Sequence, residues 1–219
     1  MTPTARVPEY ALDFHWTHEN PMTARPIRLV MALAAVLALG ACESKPPVQK
    51  LPPISFAGKA PIQLDVGQLE IVSEYQPPGH APNYEHLMQI SPGAAAVQWA
   101  KDRLKPMGRT GYAHVVIRDA SVIRTALKTD KGITGLFKEE QGERYDGSLD
   151  VVIQIQDERH MTLGEVEARA TRSRTVPEGA TVNERDRDLY EITEGLVRDV
   201  DSQMDGLIHG YLARWVLQQ

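Results

Sequence analysis

Apolar side chains recur along this chain with two different periods. Leu149, Val151, Ile153 and Ile155 alternate with Asp150, Gln154 and Gln156, which is the pattern of a strand with one dry face. Val166, Ala168 and Ala170 repeat it against Glu165, Glu167, Arg169 and Thr171. A second strand is therefore predicted over 163–176, joined to the first by a turn at 157–162 and lying in a sheet covered on one side only. From 182 to 215 the steps change to three and four, through Leu189, Ile192, Leu196, Val200, Met204, Leu207, Tyr211 and Trp215. This spacing predicts a long amphipathic helix, or two helices bent near Gly206 and Gly210. Glu184, Asp186 and Asp188 near its start and Arg214 near its end suit the helix dipole.

The preceding stretch is less regular. Leu64, Val66, Leu69, Ile71 and Val72 predict a strand over 62–75 with an irregularity near Gly67, and Pro77, Pro78, Gly79 and Pro82 then force a loop. Ser91 followed by Pro92 is a helix start, a capping hydroxyl before a proline at the first helical position. That helix should run to about Leu104 and stop at Pro106 and Gly108, with Val97, Ala100 and Leu104 facing inward and Trp99 beside them. Residues 111–127 alternate at Ala113, Val115 and Ile117 before the pattern shifts near Asp119, as in one long bulged strand. The order strand, helix, three strands, helix predicts an α+β fold: a βαβββα two-layer sandwich over 61–219, with both helices on one face of a mostly antiparallel sheet.

The N-terminal region follows other rules. Arg25 and Arg28, the apolar run Leu29 to Leu39, and the small residues Gly40 and Ala41 precede Cys42, the three-part layout of a secretory signal peptide. The apolar run is shorter than the ~20 residues a membrane-spanning helix needs. Residues 1–21 carry Glu9, Asp13 and Glu19, unlike the short positive start of such signals. The simplest account is a misplaced start codon, with synthesis beginning at Met22 and 22–41 as the signal. Residues 42–60 are dense in Pro and Lys and read as an extended tether, spanning up to roughly 50 Å at ~3.1 Å per residue.

Composition narrows the chemistry. A formal net charge of −5 and the absence of a Lys/Arg run argue against nucleic acid. One cysteine excludes an intramolecular disulfide and a cysteine-built zinc site. No GxSxG surrounds a serine and no HExxH pairs the seven histidines, so neither a serine hydrolase nor a zincin is indicated. His80, His86, His114, His160 and His209 read as surface or structurally bonded residues. The sequence GITG at 132–135 lacks the flanking helices and basic charge of a nucleic-acid clamp. No catalytic residue, metal ligand or cofactor is assigned.

The loop 128–147 carries Leu136 and Phe137 among charges. These two form a candidate partner-contact element, since long irregular loops often bind, or else fold back on the sheet edge. The face bearing Glu165, Glu167, Arg169, Arg172 and Arg174 reads as solvated.

Leu39, Gly40, Ala41 and Cys42 resemble the bacterial lipobox. The resemblance implies cleavage between Ala41 and Cys42 and attachment of diacylglycerol and palmitate to Cys42, anchoring a periplasm-facing domain to a membrane. Glu43 replaces the aspartate linked to inner-membrane retention in enteric bacteria, which favours the outer membrane. The segments SEYQPP, WAKDRL, ERYDGSLDV and RSRTVPEGATVNERD resemble a family of uncharacterised proteobacterial lipoproteins of the alphaproteobacterial type, from which no catalytic residue transfers. The order of elements is also similar to the lipopolysaccharide-assembly lipoprotein and to auxiliary lipoproteins of envelope lipid transporters. That likeness implies a non-enzymatic role beside an envelope protein partner. The alternatives are a carrier of a lipid or other amphiphile, which requires an apolar cavity between helices and sheet, and a cell-wall enzyme, which requires polar side chains converging in a cleft.

Overall fold

The computed structural model describes residues 49–128 and 141–217. Cys42, Ala41, Leu136 and Phe137, and the GITG stretch, lie outside them. The described elements are β1 (Ile62–Leu64), β2 (Gln68–Ser73), α1 (Pro92–Arg103), β3 (Leu104–Pro106), β4 (Tyr112–Asp119), β5 (Val122–Ala126), β6 (Gln141–Gln156), β7 (Thr162–Pro177) and α2 (Val182–Tyr211). The fold is α+β: among the described residues, two helices cover one face of a mostly antiparallel, open sheet, and the C-terminal helix is the longer.

The β6–β7 hairpin organises the sheet. β7 pairs antiparallel along one side of β6. On the other side, β4 pairs with the C-terminal half of β6 and β5 with its N-terminal half. The register shifts by one residue between Ile117 and Asp119 and then holds into β5, so β4 and β5 form the expected bulged strand, interrupted at 120–121. β2 adds parallel to β4, because the 74–111 connection, which contains α1, returns the chain to the same end of the sheet.

Three boundaries differ from the sequence reading. The strand expected over 62–75 is two. β1 pairs parallel with β3 in a separate small sheet, and the chain crosses to the main sheet at Gly67, whose amide donates to the carbonyls of Thr110 and Gly111 at 2.9 and 3.0 Å. A Cβ at Gly67 would stand 2.9 Å from the Arg109 carbonyl oxygen. Residues 141–147, expected in a loop, are strand: Tyr145 is buried on the helix side, and Gly147 lies under Ile192 and Leu196. The tether expected to reach Ala60 is packed from Gln49 on. Ile54 and Phe56 are 5% and 6% exposed and belong to the core, and the Phe56 amide and Ser55 hydroxyl donate to Asp102 at 2.7 and 2.9 Å.

Both helix starts are capped by local chemistry. The Ala94 amide donates to Ser91 Oγ with Pro92 in the first turn, and Thr181 and Glu184 form a reciprocal capping box before α2. The inward face of α1 is Ala95, Ala96, Trp99, Ala100 and Arg103, with Val97 only half-buried. The alanines let the helix lie close and leave Trp99 to fill the space. α2 runs through Gly206 and Gly210 without a break. Its last turn departs from the predicted stripe: Tyr211 is 76% exposed, while Ile208 and Leu212 are buried. Leu149, Val151, Ile153 and Ile155 of β6 meet Val197, Val200, Met204 and other α2 residues in one core cluster.

Candidate functional site

Polar side chains converge where α1, α2 and residues 59–63 meet. Asp201 falls on the dry face of α2, between Val197 and Met204, and is buried. Its Oδ1 accepts from Trp99 Nε1 at 2.8 Å and Arg103 Nε at 2.7 Å, and its Oδ2 accepts from Lys59 Nζ at 2.7 Å. Arg103, buried at the end of α1, also donates to Asp205 Oδ1 at 2.5 Å and to the Ala60 carbonyl. Burial pushes the Asp201 carboxyl up, but hydrogen bonds from Lys59, Trp99 and Arg103, with the charge of Arg103, outweigh it and hold the pKa below its ordinary value.

An open cleft of about 790 Å³ lies against this cluster, lined in part by Gln63, Ser202, Asp205, His209, Val216 and Leu217. Its chemistry is limited. Asp201 is ionised and engaged by three donors, so it is a poor base at neutral pH. Ser202 and His209 are seven residues apart on one helix, about 10 Å along the axis, which is too far for a nucleophile–base pair. His209 Nδ1 donates instead to the Asp205 carbonyl at 2.8 Å. The cluster acts as a clamp: two helices and the Lys59–Ala60 segment are joined through one buried carboxylate and one buried guanidinium.

No family model matches this chain, and no curated protein matches it. Among solved structures it is similar to a minor lipoprotein from Acinetobacter baumannii, at 14% sequence identity and a TM-score of 0.36, over 71% of this chain and 99% of that one. A likeness so slight carries no argument about function.

The histidines weighed from sequence are dispersed. His80 Nδ1 donates to the Ala81 carbonyl at 2.9 Å, His114 Nδ1 lies 3.3 Å from Glu70 Oε2, and His160 stacks on Tyr112 with ring centroids 4.4 Å apart. Among the described residues, no group of three or more His, Cys, Asp or Glu side chains could hold a metal ion, and no helix is long and apolar enough to cross a membrane. The face read as solvated is divided. Glu167 and Arg169 pair with Arg118 and Asp150 on the side away from the helices. Arg172 and Arg174 share the parity of Ala170 and reach back to Asp199, and to Asp188 and Glu191, on the flank of α2.

Sequence reading missed the clamp because its members lie in three separate segments. A usable signal was present: an Asp within the apolar stripe of the last helix, and an Arg four residues after the Trp of the first. Unpaired, either would be costly to bury.

Proposed function

We propose that this protein is a lipid-anchored, non-enzymatic lipoprotein of the cell envelope, attached through Cys42 and serving as a partner or accessory subunit in envelope assembly or in lipid or lipopolysaccharide transport. The observation that carries the reading is the clamp. A buried polar cluster fixes the segment that follows the anchor, and its buried carboxylate and guanidinium are engaged in that task rather than open to a substrate. A body held this way presents its remaining surface to a partner in a fixed relation to Gln49. From Cys42 to Gln49 the chain can extend no more than about 25 Å, so the domain works close to its membrane, which the residue after the anchor favours as the outer one.

The amphiphile-carrier alternative needs an apolar chamber between helices and sheet. Trp99, Leu149, Ile153, Leu196 and Met204, all fully buried, occupy that space. Affinity capture of the lipidated protein from cross-linked membranes tests the partner reading: a stoichiometric envelope protein is expected, and recovery of abundant unrelated proteins alone would count against it. Changing Cys42 to Ser tests the anchor, with loss of lipid label and accumulation of precursor expected. A normal-sized product still in the membrane fraction would refute it.

A further inference from the structure

A strand with an unpaired side offers a row of backbone donors and acceptors, and folded proteins usually cover such rows. In this sheet the outer side of β5 is paired by chain, and that of β7 is capped at two carbonyls. The side of β7 turned away from β6 is met by α2 and the chain after it, with Gln203 Nε2 donating to the Arg169 carbonyl at 3.1 Å and Arg214 Nη2 to that of Leu163 at 3.3 Å. The side of β5 is met by residues 82–84, where the Tyr84 amide donates to the Val122 carbonyl at 2.8 Å and the Arg124 amide to that of Pro82 at 2.9 Å.

β2 differs. The Gln68 and Glu74 amides donate toward β4, to Gly111 and Ile117. By the alternation of a parallel ladder, the N–H and C=O groups of Leu69, Ile71 and Ser73 therefore point the other way. Among the described residues nothing is bonded to them; β3 passes near the start of β2 but pairs with β1. The strand has no Pro, Lys or bulge to discourage pairing. Val72 is 43% exposed and continues an apolar row through Val116 and Val152 in register on the face away from the helices.

Charge selects the occupant. Between Lys59 and Lys101 the chain has no Lys or Arg but carries Asp65, Glu70, Glu74 and Glu85. A second copy pairing through β2 would bring Glu70 and Glu74 of both chains to one seam, whereas a basic strand would meet them favourably. We propose that the open edge of β2 takes up an extended segment of a partner protein in which Lys or Arg alternates with apolar residues, the cations beside Glu70 and Glu74 with their aliphatic stems over Val72, and the apolar side chains against Leu69 and Ile71. This rests on the partner-binding reading above and gives it a location and a chemistry.

The test uses the full lipidated chain in uncharged detergent micelles with two synthetic eight-residue peptides as probes, one alternating Lys and Val, the other Glu and Val. Amide hydrogen exchange over 68–73 should slow with the Lys peptide and not with the Glu peptide. Ile71→Pro removes an outward N–H and none of the bonds to β4, so binding should weaken by about tenfold with the fold retained. Glu70→Lys should reverse the peptide preference. Equal protection by both peptides, protection by neither, or a dimer already protected at β2 without peptide would each overturn the proposal. A membrane partner whose cross-links avoid β2 would remove this inference while leaving the partner reading in place.

Discussion

Asp201 concentrates the fold's electrostatics in one carboxylate. With Lys59, Trp99 and Arg103 as donors, truncation would leave a buried guanidinium short of its main counter-charge. Asp201→Ala should therefore destabilise by about 3 kcal/mol, read as a lower urea midpoint. The pH dependence follows from the depressed pKa. The stabilisation is fully present above the ordinary unfolded value near ~3.9 and is lost as pH falls through the lowered folded value. Between pH 7 and pH 3 the native protein should lose more stability than Asp201→Asn, because the variant lacks this titration; equal losses would show that Asp201 is not the group responsible. At this scale the sequence was legible where a side chain obeyed the period of its element. Arg172 and Arg174 resemble a solvated face by charge, but they share the parity of Ala170, which places them on the helix side.

At the scale of elements, the hairpin, the Ser91–Pro92 start of the first helix, the start of the last helix near 182 and the bulge beside Asp119 were legible because each is written locally, in period, cap or a break in alternation. What escaped was what only tertiary pairing decides. β1 and β2 share one alternating run, and only the crossing at Gly67 between two sheets separates them. Residues 141–147 look like loop because their helix-facing positions are filled by Glu143, Tyr145 and Gly147, and these become a strand face only under α2 and beside Arg185, which donates to Glu143 Oε2 at 3.2 Å. The entry to β4 depends on Gly111, which has a φ of +73° and a carbonyl that accepts from the Gly67 and Gln68 amides. A Cβ there would lie 2.6 Å from the Gln156 carbonyl oxygen. Gly111→Ala should cost about 2 kcal/mol through left-handed strain and backbone contact, lowering Tm by roughly 4–8 °C in a thermal melt. An unchanged Tm would mean that this junction can shift without loss.

For the whole molecule, the unexpected feature is that residues 49–60 belong to the body. Their proline content suggested a spacer, and prolines do keep the backbone extended, but Ile54 and Phe56 turn that extended chain into a strap over the helices. A chain truncated to begin at Pro61 should lose about 1.5–3 kcal/mol for each of these two side chains and melt about 10 °C lower by circular dichroism. A melt within a degree or two of the full chain would mean that the strap contributes nothing. The strap runs in the same direction as α2: Gln49 is bonded to Asn183, Pro53 and Ile54 lie beside Tyr190 and Glu194, and Lys59 reaches Asp201. Force applied at Gln49 along that direction would load these attachments in shear, all at once, whereas a sideways tug would peel them one at a time. The helix and its strap together thus give the domain a preferred axis along which it can be pulled and hold.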